Sequence, residues 1–416
     1  MDQKRTQFPQ MYPIHQHFDS ASIEDVVGAV REQFSGFRPG EKIQPGQTVA
    51  IAVASRGTHD LKTLVATVVE RLLGMGLKPY IIPAMGSHGG ATGEGQVQVL
   101  TDLGISEAIM GVPVVSSMDV VSMGRLDSGA EVFFSKDALE ADHIVVINRV
   151  KPHTVFRGEV ESGLCKILAV GCGKQKGASN MHKFNLADTI VPAARMIIKK
   201  APILCGVAVT ENAKGGTHSI RLARPEEFVD VDRELLKEAW ILFPRLPLDD
   251  LDILVVDEMG KDISGAGMDP NVIGFWRREG GPRKPDYRTL LVLDLTPKSH
   301  GNATGIGMAD LTTQRVMNKI DLHATQMNAL TSGILRSARL PISLENDRVA
   351  LETALDGVPD PRHVRMARIS NTGSLETFWA TERVLTELRS KKGITVDDKP
   401  LQLDFNNKGR LLPFPR

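Results

Sequence analysis

Short runs of Val, Ile, Leu and Ala alternate along the chain with longer segments whose apolar residues recur at helical spacing. Such runs are typical of strands buried on both faces. They are TVAIAVA (48–54), YIIPA (80–84), HIVVINR (143–149) and CGVAVT (205–210). The segment LKTLVATVVERLLGMG (61–76) lies between the first two and predicts a helix that ends at a glycine. A strand, a helix and a second strand in this order predict a parallel sheet with right-handed crossovers.

The pattern restarts after the proline-containing segment FPRLPLDD, with LDILVVDE (251–258) and TLLVLDL (289–295) as further strands and helical patterns over 312–336 and 373–391. A chain of 416 residues is also longer than one hydrophobic core ordinarily supports. We therefore predict an α/β fold of two α/β domains with mainly parallel sheets and the active site in the cleft between them. An N-terminal domain, 1–245, binds the cofactor, and a C-terminal domain, 246–394, closes over the substrate. The irregular tail, about 395–416, is expected to pack back onto the N-terminal domain.

Loops rich in glycine and polar residues follow the predicted strands. Ligands of open parallel sheets bind beyond the carboxyl ends of the strands, so these loops predict a site. They are SRGTHD (55–60), MGSHGG (85–90), VKPHTVFRG (150–158), TENAKGG (210–216), GKDISGAGMD (260–269) and PKSHGNATG (297–305).

Composition narrows the class of protein. Lysines plus arginines equal aspartates plus glutamates at 50 each, so charge does not favour nucleic acid or an acidic membrane as a partner. No apolar run has the length of a membrane span, and the polar start MDQKRTQFPQ does not resemble a signal peptide. The three cysteines, Cys165, Cys172 and Cys205, favour a reducing compartment over a disulfide framework. We expect a cytoplasmic protein.

Candidate chemistry is concentrated in the histidines of these loops and in one lysine. His88, His153, His182 and His300 lie in or near such loops, and imidazole both transfers protons at neutral pH and binds transition metals. A single loop histidine is more often solvated or a cap, but several at one sheet edge favour catalysis or metal binding. Lys166 stands between the apolar flanks SGLC and ILAV, where burial is costly unless the amine is paired, neutralised or covalently used. A buried stem with an ammonium that reaches solvent is the alternative.

The segment Gly86-Ser87-His88-Gly89, His153 followed by Gly158, Ser162-Gly163-Leu164-Cys165-Lys166, and His182 sixteen residues after Lys166 resemble motifs of the lactate racemase family. The resemblance covers roughly residues 45–215, and the second domain only in its general pattern. Members of this family use a nickel-pincer nucleotide, a pyridinium mononucleotide whose sulfur arms and ring carbon bind nickel.

The resemblance implies a role for each matching residue. Lys166 would anchor the sulfur arm of the cofactor, His182 would bind nickel, and His88 and His153 would be the acid/base pair on either side of the substrate. One histidine takes the hydroxyl proton of a 2-hydroxy acid while the C2 hydride passes to the cofactor, and return to the other face inverts the centre. The remaining residues that we expect to bind the cofactor are Arg56, Gly57, Thr58, Gly163 and Gly171.

Two departures from the family pattern bear on the substrate. Arg56-Gly57-Thr58-His59 stands where lactate-active members have Asp-Gly-Thr-Arg, and the lysine and glutamine motif of the second domain is absent as such. We expect Lys261, Asn271 and His300 to bind substrate instead, with Arg56 or Lys261 holding its carboxylate. The acid is therefore lactate-like or a larger, more polar one such as a sugar acid.

The resemblance predicts a racemase or epimerase that works with cofactor-making enzymes as partners and that is compatible with a homodimer. A zinc-dependent hydrolase or lyase using His88, His153 and His182 is one alternative, because catalytic zinc usually has three protein ligands. A non-catalytic protein that binds a nucleotide-like cofactor is the other.

Overall fold

The computed structural model describes residues 8–37, 43–55 and 58–414. The chain divides into two compact units, Asp19–Phe243 and Met1–Phe18 together with Pro244–Arg416. Within the described residues, no helix is long and apolar enough to cross a membrane.

The unit Asp19–Phe243 is built on a five-stranded sheet in the order β3-β2-β6-β7-β8, with a two-stranded ribbon, β4-β5, beside it. Strands β3, β2, β6 and β7 are parallel, and only the edge strand β8 runs the other way. The strand bounds are β2 Thr48–Val53, β3 Lys78–Pro83, β4 Val120–Arg125, β5 Glu131–Ser135, β6 His143–Arg149, β7 Ile203–Glu211 and β8 Thr217–Ala223. The four strands predicted from the apolar runs are confirmed.

Helices cover both faces of this sheet, as a parallel sheet requires. The predicted helix over 61–76 is confirmed as α2, Leu61–Gly74, and buries Leu64, Val65 and Val68 against the sheet. The helices of this unit are α1 Val26–Gly36, α2, α3 Gly93–Asp102, α4 Glu107–Met110, α5 Lys136–Leu139, α6 Leu164–Lys166, a π-helical turn Ile167–Gly171, α7 Lys174–Met181, α8 Leu186–Lys200 and α9 Phe228–Leu242.

The other unit contains an eight-stranded sheet in the order β12-β11-β10-β9-β13-β14-β1-β15. Strands β12 to β13 in that order are parallel, and β14, β1 and β15 are added antiparallel. The strands are β1 Met11–Gln16, β9 Asp250–Val256, β10 Asp286–Val292, β11 Leu311–Thr313, β12 Ile342–Leu344, β13 Met366–Ile369, β14 Thr377–Thr381 and β15 Ile394–Val396. The helices are α10 Pro270–Ile273, α11 Trp276–Glu279, α12 Gln314–Lys319, α13 Leu322–Ser332, α14 Asp347–Asp356 and α15 Leu385–Arg389. The predicted α/β fold with mainly parallel sheets is confirmed.

Residues 8–18 and 244–414 belong to this second unit, which differs from the expected boundaries of 1–245 and 246–394. Strand β1 pairs with β14 on one side and β15 on the other, and it buries Met11 and Ile14. The tail after residue 395 follows the same unit, since Met11 and Leu401 exchange backbone hydrogen bonds of 3.0 and 2.7 Å. A strand has no partner until the sheet exists, so local patterns did not predict this pairing.

The helix predicted over 373–391 is wrong. The segment contains β14, Thr377–Thr381, and only a short helix, α15. Phe378 and Ala380 are fully buried and Trp379 lies on the other face, which is the period-two alternation of a strand. The aromatic and β-branched residues of TFWAT favour this conformation.

Candidate functional site

His88 lies in the loop that follows β3, and two glycines let this loop pack closely on the segment after Lys166. The Gly86 N–H donates to the Gly171 carbonyl at 3.0 Å. A Cβ on Gly171 would lie 2.6 Å from the Ala84 carbonyl oxygen, and one on Gly86, where φ is +62°, would lie 3.1 Å from the Ala178 Cβ. Both positions therefore need glycine for the backbones to approach.

The His88 ring is exposed and is tied to the end of the neighbouring strand. Its Nδ1 is hydrogen-bonded to the Ser55 hydroxyl, two residues beyond β2. A hydroxyl can donate or accept, so this partner permits the His88 proton on either ring nitrogen. An Nδ1–H donated to Ser55 leaves Nε2 unprotonated and able to act as a base.

Lys166 closes the short helix α6, and a buried carboxylate holds the start of that helix. Asp232 of α9 is fully buried, and its two oxygens accept the N–H groups of Leu164 and Cys165 at 2.8 Å each. Gly163 precedes them with φ +89°, and a Cβ there would lie 2.1 Å from an Asp232 oxygen. The first N–H groups of a helix have no partner within it, so Asp232 satisfies two of them.

Burial makes the ionised form of the Asp232 carboxyl group unfavourable. Burial raises its pKa to about 7, although the hydrogen bonds from Cys165 and Leu164 act in the opposite direction. The Asn148 amide of β6 donates to the Gly163 carbonyl at 2.7 Å and fixes the same turn from the sheet side. The α6 turn is thus held by polar contacts from two elements.

The Lys166 side chain is half-buried, so complete burial, one of the two alternatives that its apolar flanks left open, is not observed. Its ammonium lies 5.8 Å from the centre of the Phe156 ring, and the other partner of that ring is His153, with centroids 4.6 Å apart. Phe156 therefore brings Lys166 and His153 to one place. The fully buried lysine of this region is Lys174, which the sequence analysis did not single out.

His153 is held at its backbone and at one ring nitrogen. Its N–H donates to the buried Glu161 carboxylate at 2.7 Å, and its Nδ1 accepts the Val155 N–H at 3.1 Å. A nitrogen that accepts a hydrogen bond carries no proton, so the neutral ring carries its proton on Nε2. Burial raises the pKa of Glu161, while the His153 N–H and the Arg157 guanidinium act to lower it.

His182 follows α7 and is exposed at the surface of the described chain. The protein atoms around its ring nevertheless lower its pKa by desolvation, and the Lys166 ammonium lowers it further. Both effects favour neutral imidazole, which is the form that binds metals. The charge of the Lys166 ammonium therefore acts on the His182 ring.

The loop after β2 is described only in part. Thr58 is buried and accepts the Leu61 N–H through its carbonyl at 3.0 Å, so it begins the turn into α2. The next residue, His59, donates its N–H to Glu211 at 2.8 Å, and Glu211 is paired with Arg149. Arg56 and Gly57 lie outside the described residues.

The three predicted substrate-binding residues lie in the second unit, after its strands. The Lys261 ammonium donates to the Gly265 carbonyl at 2.7 Å and to the Asn328 amide oxygen at 3.0 Å. Its N–H donates to the Ser299 hydroxyl at 2.9 Å, which joins the loop after β9 to the one carrying His300. His300 is exposed with φ +47°, and Asn271 is buried in α10.

Sequence reasoning missed four polar residues that support the site: Asp232, Glu161, Gln96 and Lys174. Two of them carried a signal, because each occupies an apolar position of an amphipathic helix. Asp232 falls between the buried Val229 and Leu236, and the buried Gln96 lies one turn before Leu100. A polar residue on a buried face needs a partner, and that need could have identified both.

The part of the chain that the structure describes holds no cluster of metal-ligating side chains. No three His, Cys, Asp or Glu side chains there are arranged to hold an ion. His88, His153 and His182 therefore do not form a three-ligand site, which is the arrangement that the zinc alternative requires.

Comparisons with known proteins bear on the first unit and on the fold. Residues 19–189 match the lactate racemase N-terminal domain, which confirms the resemblance to that family over this segment. The structure is similar to that of the lactate racemase apoprotein from Thermoanaerobacterium thermosaccharolyticum, with a TM-score of 0.52 and 15% identity over 88% of this chain and 99% of that one. At this identity the likeness shows the fold alone. No protein in a search of the curated sequences matches the chain.

Replacing the buried Asp232 by Asn should change how stability depends on pH. The carboxyl pKa is about 7 in the fold against an ordinary value of 3.8, so the folded chain binds the extra proton between these pH values. The stability due to this group is present below about pH 4 and lost as pH rises through about 7. From pH 5 to pH 8, urea unfolding should show the parent chain losing ~2 kcal/mol relative to Asp232→Asn. Asp230→Asn, at an exposed residue of the same helix, is the matched control, and parallel curves for the parent and Asp232→Asn would contradict the prediction.

Proposed function

We propose that this chain, whose residues 19–189 match the lactate racemase N-terminal domain, is an isomerase that racemises or epimerises a 2-hydroxy acid. One observation carries the proposal. Lys166 and His153 share the Phe156 ring, Lys166 acts on the pKa of His182, and the His88 loop is hydrogen-bonded to the turn that follows Lys166. An amine and three imidazoles therefore gather beyond the carboxyl ends of parallel strands, where such folds bind ligands.

The donor set fits a metal that brings most of its own ligands. His182 offers one accessible imidazole whose lowered pKa keeps it neutral, and Lys166 offers a primary amine nearby. Among the described residues, no three His, Cys, Asp or Glu side chains are arranged to hold an ion, which suits nickel held within an organic cofactor better than zinc held by the chain. We infer that Lys166 anchors a nickel-pincer nucleotide and that His182 binds its nickel. When bound, that cofactor supplies the hydride acceptor for C2 of the substrate.

The two catalytic histidines are not equivalent in this arrangement. The Val155 N–H keeps the proton of neutral His153 on Nε2, so His153 presents a donor to a substrate oxygen. His88 faces a hydroxyl at Nδ1 and can present an unprotonated Nε2. We infer that His88 takes the hydroxyl proton and that His153 orients the same oxygen. His153 can act as the base only by giving up its bond to Val155.

The remaining assignments are part of the proposal. Arg56, Gly57, Thr58, Gly163 and Gly171 bind the cofactor, and each glycine among them can do so only through its backbone atoms. Lys261, Asn271 and His300 bind the substrate, whose identity as lactate-like or sugar acid is left to experiment. Closure of the second domain over the substrate, a homodimer and the cofactor-making enzymes as partners stay predictions.

The experiment that tests the reaction uses cofactor-loaded protein and a panel of 2-hydroxy and sugar acids deuterated at C2. The expected result is that the acid loses its configuration and keeps the deuterium. Chiral chromatography measures the configuration, and mass spectrometry measures the label. Retention follows because the hydrogen moves as hydride and not as a solvent-exchangeable proton. Washout of deuterium into water would refute hydride transfer, and an unchanged configuration for every acid would refute the isomerase.

Lys166→Ala and His182→Ala separate the two anchoring roles. Lys166→Ala should abolish any covalent adduct seen by intact-mass spectrometry. His182→Ala should lower the nickel retained after desalting at least ~10-fold. Loss of a residue that is only hydrogen-bonded to a metal ligand already weakens metal binding by about that factor. Lys176→Ala is a matched control, because Lys176 also lies over a phenylalanine ring, 4.4 Å from the centre of Phe133. Exposed His323→Ala is the control for His182, and equal nickel in the two histidine variants would exclude His182 as the ligand.

Glutamine replacements distinguish a base from a hydrogen-bond donor. Glutamine can donate from a position close to Nε2 but cannot take a proton. His88→Gln should therefore lower kcat by about 10²–10⁴-fold, the usual contribution of a general base. His153→Gln should lower kcat less, and by different factors in the two stereochemical directions. Initial rates at saturating concentrations of each enantiomer give the two kcat values, and equal losses of kcat in both variants and both directions would contradict the assignment.

A further inference from the structure

Lys174 is a lysine with no exposed surface, placed beneath the His88 loop. Its ammonium donates to the Pro83 carbonyl at the end of β3, at 2.8 Å, and to the Gln96 amide oxygen at 3.1 Å. Burial lowers its pKa. A lysine without solvent is costly unless its donors are used, so these bonds account for its position.

Its nearest ionisable neighbours do not supply an opposite charge in direct contact. Burial raises the pKa of the Cys172 thiol to about 12, so this group is neutral at neutral pH. The Asp137 carboxylate is occupied by the Ser117 N–H and hydroxyl, at 2.7 and 2.8 Å. Lys174 is thus held by neutral oxygens, one from the sheet and one from α3.

The backbone of Lys174 adds to the unusual character of the position. Its φ is +52°, in the left-handed region that glycine adopts more easily than a residue with a side chain. A lysine here gives up a favourable backbone conformation and all solvent contact. Both changes are unfavourable, and the hydrogen bonds of the Lys174 ammonium, including the one to Gln96, offset them.

Lys174 determines which way the buried Gln96 amide points. An ammonium can only donate, so Gln96 must turn its oxygen to Lys174 and its NH₂ group to the other side. There the Nε2 donates to the Gly86 carbonyl at 2.8 Å and to the His88 carbonyl at 3.4 Å. With Gln96 in the opposite orientation, an oxygen would face both loop carbonyls and repel them.

We propose that Lys174 and Gln96 are positioning residues that fix the His88 backbone through a relay of hydrogen bonds from β3 to the loop. This inference rests on the proposed function, in which His88 handles the substrate proton. His88 is exposed, so burial of its own side chain does not hold it in place. Its ring is tied to Ser55 and its backbone to Gln96, and a displacement of about 1 Å at such a residue can cost 10²-fold in rate.

Two variants break the relay at different links. Lys174→Met removes the donor and keeps the volume of the side chain. Gln96→Glu keeps an acceptor for Lys174 but has no NH₂ group for the Gly86 and His88 carbonyls. Gln98→Glu is the matched control, because it makes the same change on the same helix at an exposed residue, whose amide donates to Asp102 at 2.8 Å.

Hydrogen–deuterium exchange of residues 85–91 in the cofactor-free protein measures how well the loop is ordered, independently of catalysis. We expect exchange there to rise at least ~10-fold in Gln96→Glu and Lys174→Met, with Gln98→Glu at the parent rate. In cofactor-loaded protein, kcat should fall at least ~10-fold while KM changes little, because the loop carries the base and not the substrate pocket. Urea unfolding identifies the variants that fold.

Unchanged loop exchange in folded Gln96→Glu would overturn the proposal. If Lys174→Met does not fold, the exchange rate of Gln96→Glu is sufficient for the test. Faster exchange with an unchanged kcat would also overturn it, because the loop would then not position the base. A parent chain that isomerises none of the acids would refute the proposed function. The exchange data would still decide whether the relay holds the loop.

Discussion

The contact on which the candidate site depends most is the buried Asp232 carboxylate and the two N–H groups that it accepts from Leu164 and Cys165. These bonds set the start of the helix that ends at Lys166, and the π-helical turn after it receives the His88 loop. The carboxylate has no solvent contact, and its raised pKa is the cost of that burial. Because the helix start offers N–H groups without partners of their own, the charge is tolerated where it would otherwise be excluded.

Beneath the His88 loop, a buried positive charge is stabilised in the same way as the buried Asp232 carboxylate. There a buried ammonium is held by carbonyl oxygens and an amide, and the consequence is again a defined loop. In both places a group that is costly to bury has its hydrogen bonds satisfied, so only one local arrangement is favourable. The loops that carry the histidines are thus supported by buried polar groups.

The hydrogen bonds around the two histidines also explain how similar side chains acquire different chemistry. A backbone N–H is a donor only and therefore selects one tautomer of His153, whereas the Ser55 hydroxyl leaves both open for His88. An isomerase must handle a hydroxyl proton in both stereochemical directions. For the proposed isomerase, unequal partners at the two rings favour unequal kcat values in the two directions, while the equilibrium constant fixes the ratio of the two kcat/KM values.

Periodicity and motif spacing in the sequence predicted the parallel strands, the helix after β2, and the segments in which His88, His153, Lys166 and His182 lie. These features depend on spacings of a few residues, which local chemistry controls. The three-dimensional fold was needed to show that Asp232 and Lys174 support the site, because their partners lie 68 and 91 residues away. It also decided that β1 joins the second sheet and that TFWAT is a strand. A strand is stabilised by partners across the sheet, and no local pattern contains them.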